Sequence, residues 1–132
     1  MLRRDFWDIV ERVGAHDLDA ALCTNATLIR QDEAARLAAS PVRWFSVSLD
    51  GPDAGTHDAL RGAGRFAHAL RGLEALVAAG AADRTKIRVT VTRDNADTLA
   101  GFADVASRRW TGRVLVGDIG VPRAILDRHA SA

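Results

Sequence analysis

The stretch that decides the fold of this chain is Val42-Arg43-Trp44-Phe45-Ser46-Val47-Ser48-Leu49, followed at once by Asp50-Gly51-Pro52. Its first eight residues are rich in β-branched and aromatic side chains, which predicts a strand over 42–49, and Asp-Gly-Pro is a strong turn signal. Side chains alternate across a strand, so Phe45, Val47 and Leu49 share one face and Trp44, Ser46 and Ser48 share the other. The strand is therefore predicted to be apolar on one side and largely polar on the other.

A second segment, Lys86-Ile87-Arg88-Val89-Thr90-Val91-Thr92, repeats this alternation more strictly and predicts a strand over 86–92. A parallel sheet covered by helices on both sides would be apolar on both faces. One polar face instead suits a curved sheet with helices on its outer side only, whose inner face lines a cavity for a polar ligand. Two poorly covered edge strands are the alternative explanation of the same pattern.

The rest of the chain alternates between helix and strand signals. Further strands are predicted over 18–23 and 114–116. Helices are predicted over 5–13 with Asp5 as its cap, over 32–39, over 66–77 with Gly80 ending it, over 99–106 and over about 122–129, with one helical turn at 56–60. This order predicts an α/β fold with about four parallel strands in one domain spanning 1–132, at about 30 residues per βα repeat.

The composition excludes several classes of protein. Lys and Arg number 18 against 17 Asp and Glu, a net charge of +1, so there is no broad basic field and neither nucleic acid nor a membrane is an expected partner. No segment approaches the roughly 20 apolar residues that span a bilayer, and residues 1–5 lack the apolar core of a signal peptide. The chain is therefore expected to be soluble and cytoplasmic.

Cys23 is the single cysteine of the sequence, which excludes a disulfide framework and any site built from two or more thiolates of this chain. It lies within the predicted strand over 18–23 and is expected to fill core space as a small apolar residue. The four histidines, His16, His57, His68 and His129, show no metal-ligand spacing, so each is expected at the surface or at a cap. No metal ligand and no catalytic residue is predicted.

Three ordered segments together resemble one known family: Thr24-Asn25-Ala26-Thr27-Leu28, Ser46-Val47-Ser48-Leu49-Asp50-Gly51-Pro52, and Thr56-His57-Asp58-Ala59-Leu60-Arg61-Gly62. They are similar to the T-N-G-T-L-L, S-L/I-D-G-P-D/T and H-D-x-x-R-G signatures of radical S-adenosylmethionine (radical SAM) enzymes, in the branch that matures peptides and cofactors such as haem d1, pyrroloquinoline quinone and mycofactocin. The resemblance covers about residues 2–109, and 110–132 could be a divergent last βα unit. Ala26 stands where the family usually has glycine.

The resemblance implies a fold, a cofactor pair and a reaction. In that family a partial (β/α)6 barrel holds a 4Fe–4S cluster through a C-x3-C-x2-C loop, and SAM is cleaved to a 5′-deoxyadenosyl radical that attacks a peptide or small-molecule cofactor precursor. This sequence contains neither that loop nor the G-G-E segment that binds SAM. The expectation is a partial radical SAM barrel, N-terminally incomplete, whose isolated chain lacks the cluster ligands and is inactive.

Five residues are candidates for binding the cofactor. The resemblance implies that the end of the strand over 42–49, with Ser48 and Asp50, contacts the ribose and methionine portion of SAM. The planar guanidinium of Arg61 makes it a candidate for pairing with a carboxylate. Asn25, at the preceding strand end, and Thr92, on the polar face of the next strand, would line the same cavity. Asp50 could instead only form the Asp-Gly-Pro turn, and Arg61 could be a solvated surface residue.

Two other functions fit the sequence. One is a non-catalytic binding or scaffold domain that keeps part of the SAM cavity, or that associates with a partner chain through the open edge of the strand over 18–23. The other is an independent flavodoxin-like nucleotide binder, which would require strands that are apolar on both faces. The alternation over 86–92 disfavours the second of these.

Overall fold

The computed structural model describes residues 3–109 and 113–117. Within them, helices and parallel strands alternate, and the prediction of an α/β fold is confirmed. The helices are α1 (Phe6–Ala15), α2 (Gln31–Ala38), α3 (Ala54–Arg61), α4 (Arg65–Leu76) and α5 (Phe102–Arg109), and the strands are β1 (Ala20–Thr24), β2 (Val42–Ser48), β3 (Thr85–Thr90) and β4 (Arg113–Gly117). Short irregular helical turns cover Val77–Ala81, Ala82–Arg84 and Ala96–Gly101.

The four strands form one parallel sheet in the order β1-β2-β3-β4, so each strand lies beside its neighbour in the chain. Sequential strands that pair in parallel need a crossover between them, and α2, then α3 with α4, then α5 supply these crossovers. The arrangement is that of a partial β/α barrel.

One face of the sheet carries the core. Phe45, Val47, Ile87 and Val89 are fully buried there, and they belong to one core with the apolar side of the helices, including Leu37, Leu73 and Leu76. The opposite face is open: Trp44 is 48% exposed, and Cys23 and Arg88 are exposed as well. The predicted one-sided sheet, apolar toward the helices and polar on its other side, is present for β2 and β3.

Cys23 corrects one expectation. It lies in β1 as predicted, but its side chain is exposed and does not fill the core. The physical reason is register: Cys23 pairs with Ser46, whose side chain belongs to the open face, and parallel neighbours in register point their side chains to the same side.

Several predicted boundaries shift. β1 begins at Ala20 because pairing with β2 starts there, opposite Val42, and Leu18 is left 60% exposed outside the strand. The segment at 56–60 is part of a two-turn helix, α3, and Asp5 makes no capping hydrogen bond, since its carboxylate pairs with Arg3 at 2.7 Å. The helix predicted over 122–129 lies outside the described residues.

Helix α4 passes very close to the loop that follows β1. A Cβ atom placed on Gly72 would lie 2.1 Å from the carbonyl oxygen of Ala26, so only glycine permits this approach. Ala26 itself has φ of +57°, in the left-handed region that glycine adopts without strain. This backbone conformation is a physical reason for the glycine that the family usually has at this position.

No helix among the described residues is long and apolar enough to cross a membrane.

Candidate functional site

A cavity of about 300 Å³ lies where β1 and β2 end and α3 begins its approach to the sheet. Its lining is polar and is formed by Asn25, Thr27, Ser48, His57, Arg61 and Arg65. Ligands of parallel α/β folds bind at this end of the strands because the loops there converge. Three of the five predicted cofactor-binding residues, Asn25, Ser48 and Arg61, line this cavity.

Asn25 reaches the cavity from a tightly turned loop. Its Oδ1 accepts hydrogen bonds from the backbone N–H of Thr27 at 3.2 Å and from the Thr27 hydroxyl at 3.0 Å, while the Thr24 hydroxyl accepts from the Ala26 N–H at 3.0 Å. These local bonds substitute for strand pairing after β1 ends. The side-chain amide N–H groups of Asn25 donate to no other residue in the described part of the chain and are available to a ligand.

Asp50 lies behind the cavity wall and is 4% exposed. Arg61 Nε donates to its Oδ2 at 2.5 Å, and the backbone N–H of Thr90 donates to its Oδ1 at 2.9 Å. Both carboxylate oxygens are therefore engaged, one by α3 and one by β3. Asp50 accordingly does more than form a local turn: it anchors Arg61 and connects the ends of two strands, and a direct contact with a ligand stays a prediction.

Arg61 is half-exposed, and only its Nε is engaged by Asp50. The terminal nitrogens of its guanidinium keep donors available on the cavity side. Because the bond from Nε to Asp50 fixes the plane of the Arg61 guanidinium, its terminal nitrogens are oriented in advance for a second carboxylate. This geometry favours a binding role over the alternative of a freely solvated surface arginine.

His57 is the first of two residues of the candidate site that the sequence analysis missed. It was expected at the surface or at a cap, but its side chain is 3% exposed and its Nδ1 accepts a hydrogen bond from the Asp50 backbone N–H at 3.0 Å. Burial lowers the pKa of His57 from 6.5, against the opposing effect of Asp50. The available signal was its spacing: His57 and Arg61 are four residues apart and so lie on one face of α3.

Asn95 is the second residue that was missed. It is fully buried, and its Nδ2 donates to the carbonyl oxygens of Asp50 and Thr90, both at 2.8 Å, while its Oδ1 accepts from the Thr92 N–H at 2.7 Å. One amide thus satisfies three backbone groups at the ends of β2 and β3. Nothing in its local sequence distinguishes it from an ordinary turn residue, since its main partner is 45 residues away.

Thr92 is the predicted site residue that the structure does not bring to the cavity. The strand was predicted to run to 92, but β3 ends at Thr90, where the Asp50 carboxylate and the Asn95 amide replace the sheet partners. Thr92 lies in the turn beyond, with its hydroxyl 3.4 Å from Asn95 Oδ1 and 3.3 Å from the N–H of Asp94 that donates to it. Its expected place on the polar strand face is therefore wrong.

The turn between α3 and α4 places the second arginine of the cavity. Asp58 accepts hydrogen bonds from the backbone N–H groups of Gly64 and Phe66, both at 2.7 Å, and Gly64 adopts φ of +73°. The bond from Phe66 is the main cause that lowers the pKa of Asp58. This capping starts α4 at Arg65, whose side chain then lines the cavity.

The electrostatics of the cavity favour an anionic group. Arg61 and Arg65 line it, no carboxylate is among its lining residues, and Ser48, Thr27 and Asn25 add neutral donors and acceptors. Burial holds His57 neutral near pH 7, so it adds no charge. The arrangement can bind a ligand that carries one carboxylate and several hydroxyl or amine groups.

The residues do not fit an iron–sulfur cluster. Such clusters require several thiolates, and the sequence holds one cysteine. Cys23 lies on the open face of β1, and no group of three or more His, Cys, Asp or Glu side chains gathers anywhere among the described residues.

Comparison with known proteins gives a consistent result. The family model described as the radical SAM superfamily matches residues 1–106. The mycofactocin maturase MftC of Mycobacterium ulcerans is 49% identical over 107 residues, which cover 81% of this chain and 29% of that protein. The AdoMet-dependent heme synthase of Nitratidesulfovibrio vulgaris is 40% identical over 106 residues, 80% of this chain and 28% of that protein. The chain therefore spans less than a third of the length of these relatives.

Proposed function

Since this chain belongs to the radical SAM superfamily, we propose that it forms the SAM-binding side of a maturase that performs radical chemistry on a peptide or cofactor precursor. The observation that carries the proposal is the polar cavity at the ends of β1 and β2, with Arg61 fixed in it by the buried Asp50. Two proteins similar to this chain are named for the maturation of mycofactocin and for the AdoMet-dependent synthesis of heme, which supports this proposal.

The cavity and SAM match in chemical terms. SAM carries an α-carboxylate, an α-amine, a sulfonium and a ribose with two hydroxyl groups. Arg61 presents its outer guanidinium nitrogens to the carboxylate, and Ser48 and Asn25, at neighbouring strand ends, offer a hydroxyl and an amide to the ribose and the amine. Asp50 and Asn95 support this lining from behind, and His57, itself part of the lining, accepts a hydrogen bond from the Asp50 N–H.

The chemistry that the cluster supplies in this family is an electron that cleaves SAM. The three thiolates that hold such a cluster are not present in these 132 residues, so we propose that the chain alone binds SAM without cleaving it. Anaerobic reconstitution with iron and sulfide should therefore give no stoichiometric iron and no 5′-deoxyadenosine from SAM. About four irons per chain together with 5′-deoxyadenosine would contradict this part of the proposal.

Titration calorimetry with SAM tests the binding role. The wild-type chain should bind one SAM, and Arg61→Gln should weaken binding at least tenfold, because a charge-assisted pair contributes about 1.5 to 3 kcal/mol. Arg71→Gln, an exposed arginine on α4 outside this cavity, is the matched control and should bind SAM as the wild type does. Equal affinities for all three proteins, or no heat of binding at millimolar SAM, would overturn the assignment.

A second function, association through the sheet edge, is favoured by the surface beside β1. β1 is the edge strand of the described sheet, and a groove of about 290 Å³ runs along it between α1 and the strand, lined mainly by apolar side chains such as Ile9, Val13 and Leu18. An exposed edge with an apolar border can accept a further strand. Sedimentation velocity over a range of concentrations should then reveal association that Leu18→Lys abolishes. A monomer at every concentration would exclude self-association through this edge.

A further inference from the structure

The open face of the sheet carries ordered rows of polar side chains, and apart from Ser48 those on β1, β2 and β3 do not line the SAM cavity. Cys23 of β1 pairs in register with Ser46 of β2, and Ser46 pairs with Lys86 of β3. One row further along, Ser48 pairs with Arg88. Because neighbouring strands lie about 4.8 Å apart, Ser46, Lys86 and Arg88 fall within one patch about the size of a small ligand group.

Arg88 extends over the middle of this patch. Its Nη1 lies 4.0 Å from Cys23 Sγ, although the two residues belong to β3 and β1, with β2 between them. The guanidinium therefore crosses above β2, which places it over the serines of that strand. Its side chain is exposed and it forms no ion pair with a described carboxylate.

Ser46 forms the floor of the patch. It is 4% exposed, it alternates with the core residues Phe45 and Val47 and so points to the open side, and its hydroxyl has no hydrogen-bond partner among the described residues. A buried hydroxyl without a partner is uncommon, because it has lost its hydrogen bonds to water and has gained none in the protein. An anion held by the Arg88 guanidinium above Ser46 could accept a hydrogen bond from this hydroxyl.

The charge of the patch is uncompensated. The residues of β1, β2 and β3 that share this face include Lys86 and Arg88 but no Asp or Glu. Other arginines of the described surface do have acidic partners: Arg3 with Asp5, Arg36 with Glu11, and Arg43 with Asp19. Trp44, 48% exposed, lies on the same face of β2, two residues before Ser46.

We propose that Ser46, Lys86 and Arg88 form a binding subsite for a carboxylate of the substrate, separate from the carboxylate of SAM at Arg61. The guanidinium and the ammonium provide charge-assisted donors from two directions, and the Ser46 hydroxyl donates from below. The Trp44 ring packs against the carbon skeleton that carries the carboxylate. The inference rests on the proposed function in one respect: it takes the open face of the sheet to be the face that the substrate contacts.

Binding of matched acid and neutral probes to the full 132-residue chain tests this subsite. The first pair of probes is a short N-acetylated peptide with a free C-terminal carboxylate and the same peptide with a C-terminal amide. The second pair is a porphyrin with propionate side chains and its methyl ester. At least one acid should bind at least tenfold more tightly than its neutral partner, measured by calorimetry at low salt. The acid that binds identifies the source of the carboxylate.

Variants then assign the residues. The double variant Lys86→Gln/Arg88→Gln should lose at least tenfold in affinity for the acid and nothing for the neutral probe, and Ser46→Ala should lose about threefold. Arg71→Gln, on the helical side, is the matched control and should bind as the wild type does. Circular dichroism melting checks that each variant is folded, which is expected since Lys86 and Arg88 are not core residues.

Three outcomes overturn the subsite: no binding of either acid at millimolar concentration, equal binding of acid and neutral probes, or unchanged affinity in the double variant. Arg61→Gln separates this inference from the proposed function. It should weaken SAM binding at least tenfold and leave acid binding intact. If the wild type binds the acids but not SAM, the proposed function fails while the carboxylate subsite stands; if it binds SAM but not the acids, the reverse holds.

Discussion

The two faces of the sheet contrast sharply although they are built from the same strands. On the covered face, Phe45, Val47, Ile87 and Val89 are fully buried against the helices. On the open face, Trp44 is 48% exposed and Cys23 and Arg88 are exposed. From Trp44 to Ser48 the side chains of β2 therefore alternate between the two faces: Phe45 and Val47 pack in the core, and Trp44, Ser46 and Ser48 face the open side.

The covered face and the end of the sheet are stabilised by different interactions. The covered face derives its free energy from apolar burial, about 25 cal/mol per Å². The end of the sheet depends instead on one hydrogen-bonded network, in which Asp50, His57 and Asn95 link β2, α3 and the turn after β3. Substitutions in the core, on the open face and in this network should therefore change stability by different amounts. Three pairs of variants, ordered from the largest expected effect to the smallest, measure these differences.

Adjacent residues of β2 provide the most direct test of the contrast. Phe45→Ala should lower the free energy of unfolding by about 4 kcal/mol, because a fully buried aromatic side chain leaves a cavity in the core. Trp44→Ala, its neighbour on the open face, should cost less than about 2 kcal/mol, since nearly half of the ring is already exposed. Urea denaturation measures both. Equal losses would show that the open face is packed in solution.

The network at the strand ends should also be sensitive to a single change. Asn95→Ala should cost about 3 kcal/mol, because it leaves the Asp50 and Thr90 carbonyl groups and the Thr92 N–H without partners in a buried place. Asn25→Ala, the same substitution at an exposed position, is the control and should cost less than about 1 kcal/mol. Thermal melting that fails to separate the two variants would mean that Asn95 does not join β2 to β3.

The smallest effect concerns the pH dependence of stability. Burial lowers the pKa of His57 below 6.5, so the folded chain binds this proton less readily than the unfolded chain does. The contribution of His57 is complete above about pH 6.5 and is lost as the pH falls from there toward the lowered pKa. Protonation at Nδ1 would also break the bond from the Asp50 N–H.

Urea denaturation at several values between pH 7.5 and 5 measures this loss. His57→Gln should remove the part of the pH dependence that belongs to His57, whereas His68→Gln, an exposed histidine of α4, should leave the wild-type profile unchanged. The range stays above pH 5 because Asp58, whose pKa is lowered from 3.8, acts in a separate and more acidic window. A wild-type profile in His57→Gln would contradict the buried, neutral state of His57.

Much of the fold followed from the sequence because alternation is a local property. The pattern over 42–49 identified which residues of β2 face the helices, and the spacing of strand ends placed Asn25 and Ser48 at one edge. The predictions that failed concern residues whose environment is set by contacts between distant segments of the chain. Cys23 is apolar enough for a core but its register with Ser46 places it outside, and Asn95 derives its importance from Asp50, 45 residues away.

The most direct test of the central claim, that the cavity at the strand ends binds SAM, is an NMR titration of the uniformly ¹⁵N-labelled chain. As SAM is added, the account predicts amide shift changes centred on Asn25 to Thr27, Ser48 to Asp50, and Arg61 to Arg65, with the amides of α2 and of the outer surface of α4 unchanged. No shift change at millimolar SAM, or changes confined to the helical side of the sheet, would contradict it.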